Sequence, residues 1–115
     1  MRILIADKFQ SSGIAALKQM GCEVVSQPDT TAEQMEQAVA SVDPDILIVR
    51  GTKVPGAAIQ AGRRLSMIVR AGAGYDSIDV KQASRSGVFV TNCPGKNSGA
   101  VAEVAWGLIL SCDRR

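Results

Sequence analysis

The chain has 115 residues, 46% apolar and 21% charged, which suits one globular domain with a real core and excludes a disordered chain. A net charge of +2 without a dense Lys/Arg run argues against nucleic acid as a partner, and no apolar run approaches a membrane span. Histidine is absent, which removes the commonest general base and metal ligand, and the three cysteines (Cys22, Cys93, Cys112) lack CxxC spacing, so neither a metal site nor a disulfide framework is expected.

Residues 2–6 form a β-rich run closed by Asp7. No secretory signal is expected at this end, and free thiols fit a cytoplasmic protein. Ser11 or Ser12 is placed to cap a helix whose apolar positions Ile14, Leu17 and Met20 recur at helical spacing, with Gly21 ending it. Residues 22–26 read as a second strand. Thr30 or Thr31 begins a second helix, with Glu33 or Gln34 as its capping-box partner. Met35, Ala38, Val39 and Val42 form that helix's core face, and Pro44 blocks its continuation. The continuous β-branched run at 46–49 is what a strand buried on both faces needs. A short helix follows at 57–61, and a fourth strand at 67–69 ends at Arg70. Residues 78–86 form a helix closed by Gly87, and 88–91 a fifth strand. The longest helical segment, 97–113, carries Val101, Val104, Ala105, Leu108 and Cys112 on one stripe.

Strict alternation of strand and helix predicts an α/β fold, a parallel sheet with helices on both faces and right-handed crossovers. Five strands in this length match a flavodoxin-like three-layer sandwich, for which analogy gives the order 2-1-3-4-5. Ligands of such sheets bind beyond the carboxyl ends of the strands. Those ends carry Asp7-Lys8, Arg50-Gly51-Thr52-Lys53, Arg70-Ala71-Gly72-Ala73-Gly74 and Asn92 through Asn97. The edge therefore gathers Arg50, Lys53, Arg70 and Lys96 around a Gly-x-Gly loop whose amides can approach a ligand closely. Guanidinium groups add paired hydrogen bonds to carboxylate or phosphate, so a small, doubly anionic ligand is indicated. The competing reading makes Arg50 and Arg70 solvated strand ends paired with Asp7, Asp45 or Asp76.

Several lookalikes fail. Gly72-Ala73-Gly74-Tyr75-Asp76-Ser77 lacks the third glycine of a dinucleotide fingerprint, and no long helix starts there. Gly95-Lys96 is no phosphate loop. A receiver domain wants an aspartate where Arg50 stands, a flavodoxin wants a Thr/Ser/Gly loop where residues 7–10 stand, and a cobalamin domain wants a histidine.

Three stretches, in order, resemble the D-isomer-specific 2-hydroxyacid dehydrogenases. They are Ile48-Val49-Arg50-Gly51-Thr52-Lys53-Val54, then Val69-Arg70-Ala71-Gly72-Ala73-Gly74-Tyr75-Asp76-Ser77-Ile78-Asp79, then Val88 through Ser98 with Asn92, Pro94, Asn97 and Ser98 at the family's positions. Ala100-Val101-Ala102-Glu103 and Arg114-Arg115 follow in register, so the likeness covers nearly the whole chain, and the Arg50 and Arg70 pair makes it most like the phosphoglycerate branch. The resemblance implies an NAD-dependent oxidoreductase of serine biosynthesis, built from a substrate-binding domain (1–96) and a linking helix (97–115) that would lead into an NAD-binding domain missing from this chain. It implies that amides of Gly72, Ala73 and Gly74 hold the substrate carboxylate. It further implies that Arg50 and Arg70 receive the phosphate with Thr52 and Lys53 beside them, that Ala73 lies next to the cofactor, and that Asn97 sits at the crossing to the second domain. The family's catalytic Arg, Glu and His match nothing here, so no catalytic residue and no bound cofactor are expected of the chain alone. An isolated or engineered fragment without activity, or a stand-alone module for small anionic acids, are the alternatives. A 97–113 helix apolar on more than one face expects two partners, this sheet and either the missing domain or a second copy, so a homodimer through that helix is expected.

Overall fold

The alternating segments appear in the computed structural model, which describes residues 1–114, as ten elements. They are β1 (Arg2–Ile5), α1 (Ser11–Gln19), β2 (Glu23–Ser26), α2 (Met35–Val42), β3 (Ile46–Val49), α3 (Gly56–Ala61), β4 (Met67–Arg70), α4 (Val80–Arg85), β5 (Phe89–Thr91) and α5 (Ser98–Arg114). Arg115, the last residue of the expected linking helix, lies outside the described residues. The strands are all parallel and run β2-β1-β3-β4-β5, the expected order. Leu4 lies opposite Leu47 and Leu47 opposite Ile68, so the centre of the sheet is in register across three strands.

The two-residue period of a strand sends successive side chains to opposite faces. On one face Leu4, Leu47, Val49 and Ile68 meet Met35 and Val39 of α2, Ala58 and Ile59 of α3 and Ala83 of α4. On the other, Ile3, Ile5 and Ile48 meet Ile14 and Leu17 of α1. β3 is thus buried on both faces, as its unbroken apolar run requires.

Helix starts differ from expectation, each for a local reason. Neither Ser11 nor Ser12 caps α1; Ser11 already lies inside the helix, and extended Gln10 precedes it without a side-chain cap. Met20 lies beyond the last turn and is 77% exposed, so the core stripe is Ile14 and Leu17 alone. α2 starts at Met35 rather than at Thr30 or Thr31, because the Thr30 hydroxyl donates to the Gln27 carbonyl (2.8 Å) and closes a turn instead. Half of the expected capping box survives, with the Gln34 side chain accepting from the Thr31 amide at 3.2 Å. α4 starts at Val80 rather than at 78, because Asp79 caps it by accepting the Gln82 amide at 3.0 Å.

The largest departure is α5. Its first face was expected on this sheet, yet none of its residues is buried, and Val101, Val104, Trp106, Leu108, Ile109 and Leu110 are all more than half exposed. The helix leaves the carboxyl edge after a turn at residues 94–97 in which Gly95 takes φ +73°, and it projects as a rod roughly 25 Å long. The molecule's 54 Å long axis against 33 and 22 Å reflects that projection. No described helix is long and apolar enough to cross a membrane.

Candidate functional site

The site grows from the neighbouring ends of β3 and β4, where Val49 lies opposite Arg70. Beyond β3 the chain turns tightly around Asp7, which follows β1. One Asp7 oxygen accepts the amides of Arg50 (2.6 Å), Gly51 (3.0 Å) and Thr52 (3.1 Å), and the other accepts the Thr52 hydroxyl at 2.8 Å. Burial pushes the Asp7 carboxyl upward, but these four donors together outweigh it and hold the group below the ordinary carboxylate range.

Beyond β4, the 72–74 loop is fastened from β5. The Cys93 amide donates to the Gly72 carbonyl at 2.9 Å, and the Asn92 side-chain amide donates to the Ala73 carbonyl at 2.6 Å. Gly72 lets the Arg70 guanidinium fold close over the loop, since an added Cβ there would run into Nη1 of Arg70 and lie 2.8 Å from its Cζ, so the guanidinium would have to swing aside.

These pieces enclose an open cleft of about 450 Å³. Of the residues expected at the site, Arg50, Arg70, Gly72, Ala73, Gly74 and Asn97 line it together. Thr52 and Lys53 do not: the Thr52 hydroxyl is turned to Asp7, and Lys53 is exposed outside the cleft wall. Ala71, Cys93 and Lys96 complete the lining. Cys93 and, behind the wall, Asn92 were not among the expected site residues, although both lie in the strand-end stretch 92–97.

Arg50, Arg70 and Lys96 face the cleft, and no acidic side chain lines it. The two ion pairs among the described residues are Arg2 with Glu23 and Arg64 with Asp45, so neither Arg50 nor Arg70 is paired. The ion pairs of the competing reading are not formed among the described residues: Asp7 is committed to backbone amides, Asp45 to Arg64 and the Arg2 amide, and Asp76 joins no ion pair, while Arg50 is exposed. Arg70 Nε is moreover buried without a hydrogen-bond partner. A buried charged donor gains from an acceptor placed against it.

The same loop does not suit a dinucleotide. After Gly74 the chain returns to the sheet, where Ile78 bridges Val54 and the Asp79 amide donates to the Val54 carbonyl at 3.1 Å. No helix opens behind the glycines to receive a pyrophosphate, as a dinucleotide fold requires.

Asp7 gives a pH prediction. Its depressed folded pKa means that its stabilisation is fully present above the unfolded value, about 3.9, and is lost as pH falls through the folded value. Asp7→Asn is therefore expected to cost roughly 1–2 kcal/mol of unfolding free energy at pH 7, read from urea denaturation, and to converge on the parent as pH falls through the folded value of Asp7. Parallel midpoint-against-pH curves for the two proteins would refute this role.

A family model described as D-isomer specific 2-hydroxyacid dehydrogenase, catalytic domain, matches residues 3–107. The chain is 37% identical over 115 residues to a D-3-phosphoglycerate dehydrogenase of Methanocaldococcus jannaschii, covering 99% of this chain and 21% of that protein. It is 43% identical over 90 residues to a hydroxypyruvate reductase of Thermotoga maritima, covering 75% of this chain and 29% of that protein. A crystal structure of NAD+-bound 3-phosphoglycerate dehydrogenase from Entamoeba histolytica superposes with a TM-score of 0.76 at 31% identity, over 95% of this chain and 38% of that one. The chain thus spans about a fifth to two fifths of the length of these relatives.

Proposed function

The chain belongs to the D-isomer specific 2-hydroxyacid dehydrogenase family, and from that premise we propose that it is the substrate-binding part of an NAD-dependent D-3-phosphoglycerate dehydrogenase acting in the cytoplasm in serine biosynthesis. The observation that carries the reading is the cleft in which unpaired Arg50 and Arg70 meet the 72–74 loop. In this reading the amides of that loop take the substrate carboxylate, and Arg50 and Arg70 take the phosphate. Ala73 lies at the cofactor side, and Asn97 stands at the passage to the domain that binds NAD. NAD accepts or returns the hydride when bound to that domain, and the residues described here bind and orient the acid. The exposed apolar side of α5 is then covered by the NAD-binding domain or by a second subunit.

The test is an amide NMR titration of the 115-residue chain with 3-phosphoglycerate and, separately, NAD. The acid is expected to shift residues 50–53 and 70–75, with an affinity of about −4 to −6 kcal/mol because only one wall of the site is present. NAD is expected to leave the spectrum nearly unchanged. Saturable NAD binding at residues 72–74 would overturn the reading, and silence toward both ligands would favour an inert fragment.

A further inference from the structure

A second hollow of about 350 Å³ lies beside the cleft, between the β1–α1 loop and the end of β3. Lys8, Phe9, Gln10 and Ser12 line one side, and Arg50 and Ala71 the other. Arg50 and Ala71 also line the cleft, so the two spaces share a wall and Arg50 stands between them. The charge of the hollow has one sign. Among the described residues, Lys8 and Arg50 both face it, neither joins an ion pair, and no acidic side chain lines it or the first turn of α1. Asp7, the neighbouring acid, has both oxygens held by the 50–52 turn and its Thr52 hydroxyl. The Lys8 side of the hollow is also braced, since the Phe9 ring packs so closely on Gly13 that a Cβ there would come within 2.6 Å of Cε1.

The geometry points to this hollow as the phosphate lobe of the substrate site, with Lys8 as a specificity-determining residue that joins Arg50 from the side away from the carboxylate. This rests on the substrate reading above and adds to it the group that separates phosphorylated from unphosphorylated acids. A phosphate monoester carries close to two negative charges at neutral pH and offers three strong acceptor oxygens, enough to engage Lys8 and Arg50 at once. An acid of the same carbon skeleton without phosphate has only its carboxylate, which the 72–74 amides already satisfy, and it gains nothing from Lys8. The distinction matters because the relatives include both a phosphoglycerate dehydrogenase and a hydroxypyruvate reductase.

The experiment titrates the 115-residue chain and its Lys8→Ala and Lys8→Arg variants with 3-phosphoglycerate and with D-glycerate, following amide shifts. Lys8 is exposed, so the fold is expected to survive both changes. 3-Phosphoglycerate is expected to shift residues 8–13 as well as 50 and 70–74, and D-glycerate to shift 72–74 alone. Lys8→Ala is expected to weaken 3-phosphoglycerate about tenfold, the effect of one charge-assisted hydrogen bond, with D-glycerate changed less than about twofold and Lys8→Arg restoring most of the loss. Silence of residues 8–13 toward 3-phosphoglycerate, or a Lys8→Ala effect equal for the two acids, would overturn the phosphate lobe while leaving the carboxylate site standing. Failure of both acids to bind the parent chain would overturn the lobe and the substrate reading together.

Discussion

Arg70→Met weakens 3-phosphoglycerate binding by roughly 2–3 kcal/mol, about 30- to 150-fold, while the domain becomes no less stable. Both halves of this expected result come from one feature. The Arg70 guanidinium lies over Gly72 in the cleft, and its Nε is buried without an acceptor. In the unliganded protein that donor is a burden, of the order of 1–3 kcal/mol for a buried group left unpaired. Met keeps the packing of the unbranched stem and removes the unsatisfied donor. The urea midpoint should therefore stay level or rise, as happens where a site is maintained at the expense of stability. Titration and denaturation of the same two proteins decide it. A variant that binds like the parent would remove Arg70 from the site, and one that loses binding only because it unfolds would make Arg70 structural.

The second large effect is on the fold. Leu47→Ala is expected to cost about 3–4 kcal/mol, because Leu47 is fully buried at the middle of the central strand, in register with Leu4 and Ile68. Against a typical domain stability of about 5–15 kcal/mol, that leaves a marginal protein. Val104→Ala removes comparable apolar surface from α5, yet Val104 is 63% exposed, so its cost should stay within about 0.5 kcal/mol. Urea midpoints of the two variants compare core and helix directly. Equal losses would mean that α5 is covered in solution.

The expected site was legible where it depended on position along one strand. Arg50 and Arg70 stand at the ends of apolar runs, and a parallel sheet brings such ends to one edge, so both could be placed in a shared cleft. Thr52 was adjacent in sequence, but its hydroxyl binds Asp7, which reaches the turn only because β1 and β3 are neighbours. Lys96, like Arg50 and Arg70, was placed at the edge from its strand end, whereas the parts played by Cys93 and Asn92 depend on β5 lying against β4. The Lys8 hollow likewise needs the β1–α1 loop set against Arg50.

By itself the sequence determined the ten elements nearly in full, the two-faced burial of β3 and the cations at the strand ends. These follow from backbone periods of two and 3.6 residues, which any short stretch of chain expresses. Helix starts were misplaced where a side chain bonds the backbone outside the expected first turn, as Thr30 does with the Gln27 carbonyl and Asp79 with the Gln82 amide. For α5, apolar residues on every side indicated that it needs partners but not which, and the tertiary structure leaves it off this sheet. The tertiary structure alone decided that Asp7 gathers the amides of residues 43 to 45 positions away, and that Arg70 closes over Gly72. Such contacts form only once parallel strands, each separated by a crossover, have closed into one sheet, so no local pattern encodes them.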